Sequence, residues 1–279
     1  MSFAPVIPMG GYGGWTFLKR TQPSQQLAFA ASAEIKRDEA HFRATIGSVK
    51  TAEDLVSDRR LLKVALGAFG LDADINNKFF IRKVLEDGTL NDGALSNRLS
   101  DKQYRAFSQA FGFGDLAVPN TQISTFADTT IRAYETQQFE QAVGAQSGSL
   151  RLALNAERQV GAIAGKDSSD DVKWYTMMGS APLRRVFQTA FGLPSAFAAV
   201  DIDQQLGVFK AKADQLFGEG EFSQFSDPEK LNGLLRRFLA LADQDVGLSP
   251  RTKGAGALQL LQSASGGGGG VAGILALLA

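Results

Sequence analysis

The stretch GAFGLDADINNKFF, residues 67–80, puts oxygen-bearing side chains at alternate positions: Asp72, Asp74 and Asn76. That spacing opens an EF-hand calcium loop, whose alternate residues turn their oxygens toward one ion. The sixth loop position needs glycine, and here it is Asn77; the twelfth needs a bidentate carboxylate, and here it is the cation Lys83. FFIRKVLE also has the pattern of a helix, which leaves the loop no room. The comparable stretch VDIDQQLG offers Asp201 and Asp203 without a third ligand. The reading that fits is a helix stopping at Gly70 and another starting a few residues later, with no metal site.

Other chemistry is approached and missed. GAIAGKD, residues 161–167, resembles a phosphate loop but is one residue short, and Asp167 stands where a hydroxyl would hold magnesium. No hydrophobic strand precedes it, so it reads as a helix end and linker. The chain has no cysteine, which removes disulfides, thiolate metal sites and cysteine nucleophiles. Its one histidine, His41, lies in the charged run KRDEAHF and reads as a surface residue. A Ser-His-Asp triad or a multi-histidine zinc site therefore has too few parts. Asp170 and Asp171 are adjacent carboxylates at a helix start, where they need no catalytic role. Glu34, Asp38, Glu39 and Glu53 are too scattered to name as a catalytic pair. No catalytic, cofactor-binding or metal-ligating residue is assigned, no cofactor is expected, and the chain is expected not to be an enzyme.

The side chains that remain informative are Tyr12, Trp15 and Phe17, large aromatics in a glycine-rich stretch. Such residues anchor a partner or dock the arm on its own protein, and they are the candidate partner contacts.

The 279 residues carry 29 Lys plus Arg against 29 Asp plus Glu, so no global charge favours nucleic acid or an anionic membrane. The charge runs Asp58-Arg59-Arg60 and Arg236-Arg237 read as solvated helix faces. MSFAPVIPMGGYGGW has no basic leader region and is broken by proline and glycine, so no cleavable secretory signal is expected. The apolar tip VAGILALLA falls short of the roughly 20 residues a transmembrane helix needs.

No segment alternates with a two-residue period, so the fold is expected to be all-α. Residues 1–23 read as a flexible arm, with the first helix from about Ser24. A helix opens at Thr51, where TAED is a capping box with Asp54 in the glutamate position, and runs to Phe69. Others are expected over 75–87, 93–99 and from a cap at Ser100 to Gly112. A long helical region follows over 121–164, with a break near 144–149. Ser168 or Ser169 caps the next helix, Ser180 and Pro182 start another, and 201–217 is a third. SDPEK, with Ser226 as cap and Glu229 as its partner, opens the helix to about Asp243. Residues 249–279 read as a Gly-rich tail with an apolar tip.

AFG occurs at 68–70, 110–112 and 190–192, each at a helix end. Phe69, Phe111 and Phe191 would sit on the last turn, with Gly70, Gly112 and Gly192 as left-handed caps. RLLKVALGAFGL at 60–71 also matches PLRRVFQTAFGL at 182–193. Two related helical units, about 51–116 and 169–243, are expected. The division is therefore a first unit over 24–116, connecting helices over 117–167 and a second unit over 168–248.

The run RDEAHFRATIGSVKTAEDLVSDRRLLKVALGAFGLD at 37–72, with FIRKVLEDG at 80–88 and LSDKQYRAFSQAFGF at 99–113, resembles an alphaproteobacterial family of unknown function encoded among flagellar genes. His41 and Phe42 stand where that family has aromatics, and Thr45 departs from its usual asparagine. The resemblance covers 35–115 best. It carries no activity. It implies a non-enzymatic role in flagellar structure or assembly through contacts with other proteins, flagellar components among them. The location implied is the cytoplasm, or the flagellum by export without a cleavable signal. The alternative of another class is a cytoplasmic helical adaptor or chaperone-like module, which would hold a peptide in an apolar groove lined from both units.

Overall fold

A computed structural model describes residues 4–247. They form thirteen α-helices and five short 3-10 turns, with no strand among the described residues. The chain is all-α. The expected Gly-rich tail lies outside the described residues.

The N-terminus departs from the sequence reading. In place of a flexible arm, helix α1 runs Gly11–Ala30, with Pro23 inside it. An interior proline costs a helix about 3 kcal/mol. What outweighs this is burial: Trp15 and Leu18 enter the core. Gln25 also ties the preceding chain down, accepting from Val6 N at 2.7 Å and donating to Val6 O at 3.2 Å.

Helix α2 spans Ala33–Thr45. The helix expected from Thr51 to Phe69 is two, α3 (Ala52–Ser57) and α4 (Arg59–Ala68). Thr51 and Asp54 form the expected capping box. Asp58 then caps α4, accepting from Arg60 N at 2.8 Å and Leu61 N at 3.1 Å. Its other oxygen meets His41 Nε2 at 2.7 Å, so His41 braces this break in the helix.

Helices α5 (Lys78–Glu86), α6 (Leu95–Arg98) and α7 (Gln103–Phe111) follow. Ser100 does not cap α7; Asp101 accepts from Gln103 N at 2.9 Å instead. Helices α8 (Phe126–Gly144) and α9 (Gly148–Ala164) are separated where the glycines predicted a break. The rest are α10 (Asp170–Met178), α11 (Ala181–Ala190), α12 (Ile202–Phe217) and α13 (Pro228–Gly247). Ser169 caps α10 and Asp201 caps α12. At SDPEK, Asp227 accepts from Glu229 N at 2.8 Å, while Ser226 donates to Ser223 O. Asp227 is nearer the helix start, and a carboxylate accepts more strongly from backbone N–H groups than a hydroxyl.

Gly70, Gly112 and Gly192 have φ of +73°, +71° and +67°, where a side chain is strained. The two AFGL copies reverse the chain with one bond pattern: Leu71 N to Leu66 O at 2.9 Å, and Leu193 N to Gln188 O at 2.8 Å. Phe69 packs edge-on against Phe107 at 5.3 Å, and Phe111 and Phe191 are buried.

The core forms two clusters. One draws on α2 to α5, α7 and the start of α8, from Ile35 to Tyr134. The other joins Trp15 and Leu18 of α1 to Phe139 and Val143 of α8 and to α9 through α13. These clusters do not follow the units read from the repeat. Helix α8 serves both, α9 is core, and α1 belongs with the C-terminal cluster.

Candidate functional site

Between the clusters runs an open groove of about 1770 Å³. One wall is the C-terminal end of α4, with Phe69 and Gly70, and the first turns of α7. The other is made from α9, α10 and α11, and α8 contributes Gln137. The AFGL turn shapes the first wall: its reversal ends α4 at the groove and leaves Phe69 half-buried on its edge.

The groove is basic. Lys102 and Arg105 line it from α7 and the turn before it, Arg151, Arg158 and Lys166 from α9 and its C-terminal turn, and Arg184 and Arg185 from α11. Asp101 is the sole carboxylate residue lining it. In a chain of no net charge this is local segregation of sign. Some of these cations are engaged. Arg158 clasps Glu140 with Nε and Nη2 at 3.0 and 3.2 Å, and Glu140 is buried. Lys102 donates to the carbonyls of Asn97 and Leu99, and Arg105 to Asn97 Oδ1. Arg151, Lys166 and Arg185 are exposed, and their side chains have no hydrogen-bond or ion-pair partner among the described residues. Arg184 donates to Gln205, but its Nε is buried without an acceptor, as is Gln188 Nε2 on the same helix. Apolar surface lies between the charges: Phe69, Ala106, Ala162, Val172 and Leu193.

The sequence-predicted contacts are elsewhere. Trp15 is 4% exposed and belongs to the core, so of its two readings the structure takes docking on its own protein. Tyr12 is half-buried with the Arg236 guanidinium 5.6 Å from its ring, and Phe17 lies 5.7 Å from Arg20. Tyr12 and Trp15 border a smaller cleft of about 340 Å³ between α1, α9 and α13.

The calcium look-alike is bound up by protein donors. Asp72 accepts from Gln138 at 2.7 Å and from Gln141. Asp74 accepts from Tyr104 at 2.5 Å, and Asn76 from Arg59. Burial, with Asp74 beside it, raises the Tyr104 hydroxyl above its ordinary value. No group of three His, Asp or Glu side chains is placed to hold a metal among the described residues. Asp170 accepts from Ser223 N at 2.7 Å and so pins the turn before α13, and Asp171 pairs with Lys210. Glu34 and Asp38 share Lys63, each at 2.7 Å.

One carboxyl pair was not legible in the sequence. Glu39 of α2 faces Glu135 of α8, 96 positions away. Burial, then the bond to Glu135 and its charge, push Glu39 up to about 7 against the opposing pull of Arg43 and Lys36. Ionised, Glu39 leaves Oε1 buried with no donor to meet it; protonated, it can bond Glu135. The pair lies outside the groove. A carboxyl whose folded value is raised binds a proton that the unfolded chain releases near 4.5. The stability it contributes is thus complete below about 4.5 and lost as pH rises through about 7. Glu39→Gln is uncharged at every pH. At pH 8 it is expected to be more stable than the parent by about 1 kcal/mol, discounted for partial exposure, with little gain at pH 5. Urea unfolding at both pH values checks this, and an equal change at both would sink it.

The model of a family described as "Protein of unknown function (DUF1217)" matches residues 68–231. The chain belongs to this family. The match takes in residues of both core clusters, and of the 35–115 region that carries the resemblance it covers 68–115. A solved structure, protein AGR_C_984 from Agrobacterium tumefaciens, is similar at 26% identity with a TM-score of 0.69, covering 86% of this chain and 98% of that one. No curated protein matches. The family description names no activity.

Proposed function

We propose that the chain is a non-catalytic binding module that holds a segment of a partner protein in the groove between its core clusters. The observation that supports this is the groove itself, lined from both clusters and too large for an ordinary small-molecule pocket of about 300–1,000 Å³. Its walls mix apolar patches with charges, as protein-binding surfaces do. The raised Glu39 carboxyl lies outside the groove. No described helix is long and apolar enough to cross a membrane.

A flagellar setting is the second part of the proposal, and it rests on the sequence resemblance alone. Both parts meet in one experiment. Ala162 is exposed on α9 in the groove, so Ala162→Trp fills space without touching the core. The full chain is expected to capture a partner from extracts of its source organism, and Ala162→Trp to lose most of it. A flagellar protein among those lost would support the setting. Equal capture by both chains would rule out the groove.

A further inference from the structure

We propose that the occupant of the groove is an acidic amphipathic helix, seated by Arg151, Lys166 and Arg185; this rests on the groove being a protein-binding site. Three observations carry it.

The first is charge. The lining cations outnumber the lone carboxylate of Asp101, although the whole chain is neutral. The side chains of Arg151, Lys166 and Arg185 make no hydrogen bond or ion pair with their own protein among the described residues. A carboxylate-bearing partner supplies what this surface lacks.

The second is periodicity. Arg151, Arg158 and Ala162 recur at seven and four residues along α9, which places them on one face. They span about 16 Å of helix, with Lys166 in the turn that follows α9. A row of that length matches roughly three to four turns of a second helix laid alongside. Ala162 leaves room beyond Arg158, towards the C-terminal end of the row, and Val172 and Phe69 offer apolar contact to the other side of such a helix.

The third is the backbone. The groove walls are helices, whose N–H and C=O groups bond internally, and no strand edge is present among the described residues. An extended peptide would find no ladder to join, whereas a helix brings its own hydrogen bonds satisfied. Nucleic acid is the poorer fit: apolar residues separate the cations, and a neutral chain gives little long-range attraction for a polyphosphate.

The test uses the full chain against a displayed library of random 16-residue peptides. Its control is the chain carrying Arg151→Glu, Lys166→Glu and Arg185→Glu, exposed positions without internal partners, with circular dichroism to confirm that it folds. Peptides with Asp or Glu on one helical face and apolar residues on the other are expected to enrich. They should bind the parent at least tenfold more tightly than the triple variant. Enrichment of neutral or basic peptides sensitive to Ala162→Trp would overturn the acidic partner and leave the groove reading standing. No enrichment at all would remove both. A 20-base-pair duplex that binds more tightly than any selected peptide, and loses affinity in the triple variant, would overturn the proposal in favour of nucleic acid.

Discussion

Trp174→Ala is expected to destabilise the chain by about 3–5 kcal/mol, the range for removing a large aromatic from a packed core. Trp174 is fully buried. Its ring stacks on Phe209 at 5.9 Å and meets Phe187 and Phe222 edge-on at 5.7 and 5.0 Å. It thereby joins α10, α11, α12 and the turn before α13, so no single neighbour can move in to fill the space. Its Nε1 donates to Gly220 O at 3.1 Å, and truncation leaves that carbonyl without its donor. At about 2–4 °C per kcal/mol for a chain of this size, the melting midpoint should fall by about 10 °C. Calorimetry or denaturant unfolding measures this. A loss below about 1 kcal/mol would mean that the C-terminal cluster is packed differently.

Gly67→Val is expected to cost about 3 kcal/mol, although glycine inside a helix is normally a weakness and replacing it a gain. A Cβ at Gly67 would lie 2.8 Å from the Tyr134 ring and 2.9 Å from Gln138 Nε2. Tyr134 is fully buried and cannot swing away, so α4 and α8 would have to part. That separation moves Ala68, Phe69 and Gly70, which form one groove wall. Two readouts should therefore change together: unfolding stability, and affinity for any groove-bound peptide measured at a temperature where the variant is still folded. Unchanged stability would show that the two helices are not in this close contact.

Much of the secondary structure was legible because its signals are local. The capping box at Thr51, the cap at Ser169 and the glycine stops at 70, 112 and 192 involve side chains and backbone within a few residues. Those interactions form wherever the sequence places them, so reading the chain found them. Absent alternation gave the all-α class on the same basis.

Other features depended on distant residues. Helix α1 forms through glycines and a proline because Trp15 and Leu18 find a core contributed by residues beyond 139. The Glu39–Glu135 contact and the Arg158–Glu140 clasp join helices by packing, and no local pattern encodes the pairing. The cations of α9 carry a helical spacing that sequence could have shown, but not what lies opposite them. The groove exists because α7 and α11 are held across from that face. Composition by itself determined the neutral charge, the absence of cysteine and a single histidine, and so limited the available chemistry. Tertiary structure alone decided that the basic side chains gather on one surface. Charge clustering is a property of distances in space, and a chain of zero net charge says nothing about it.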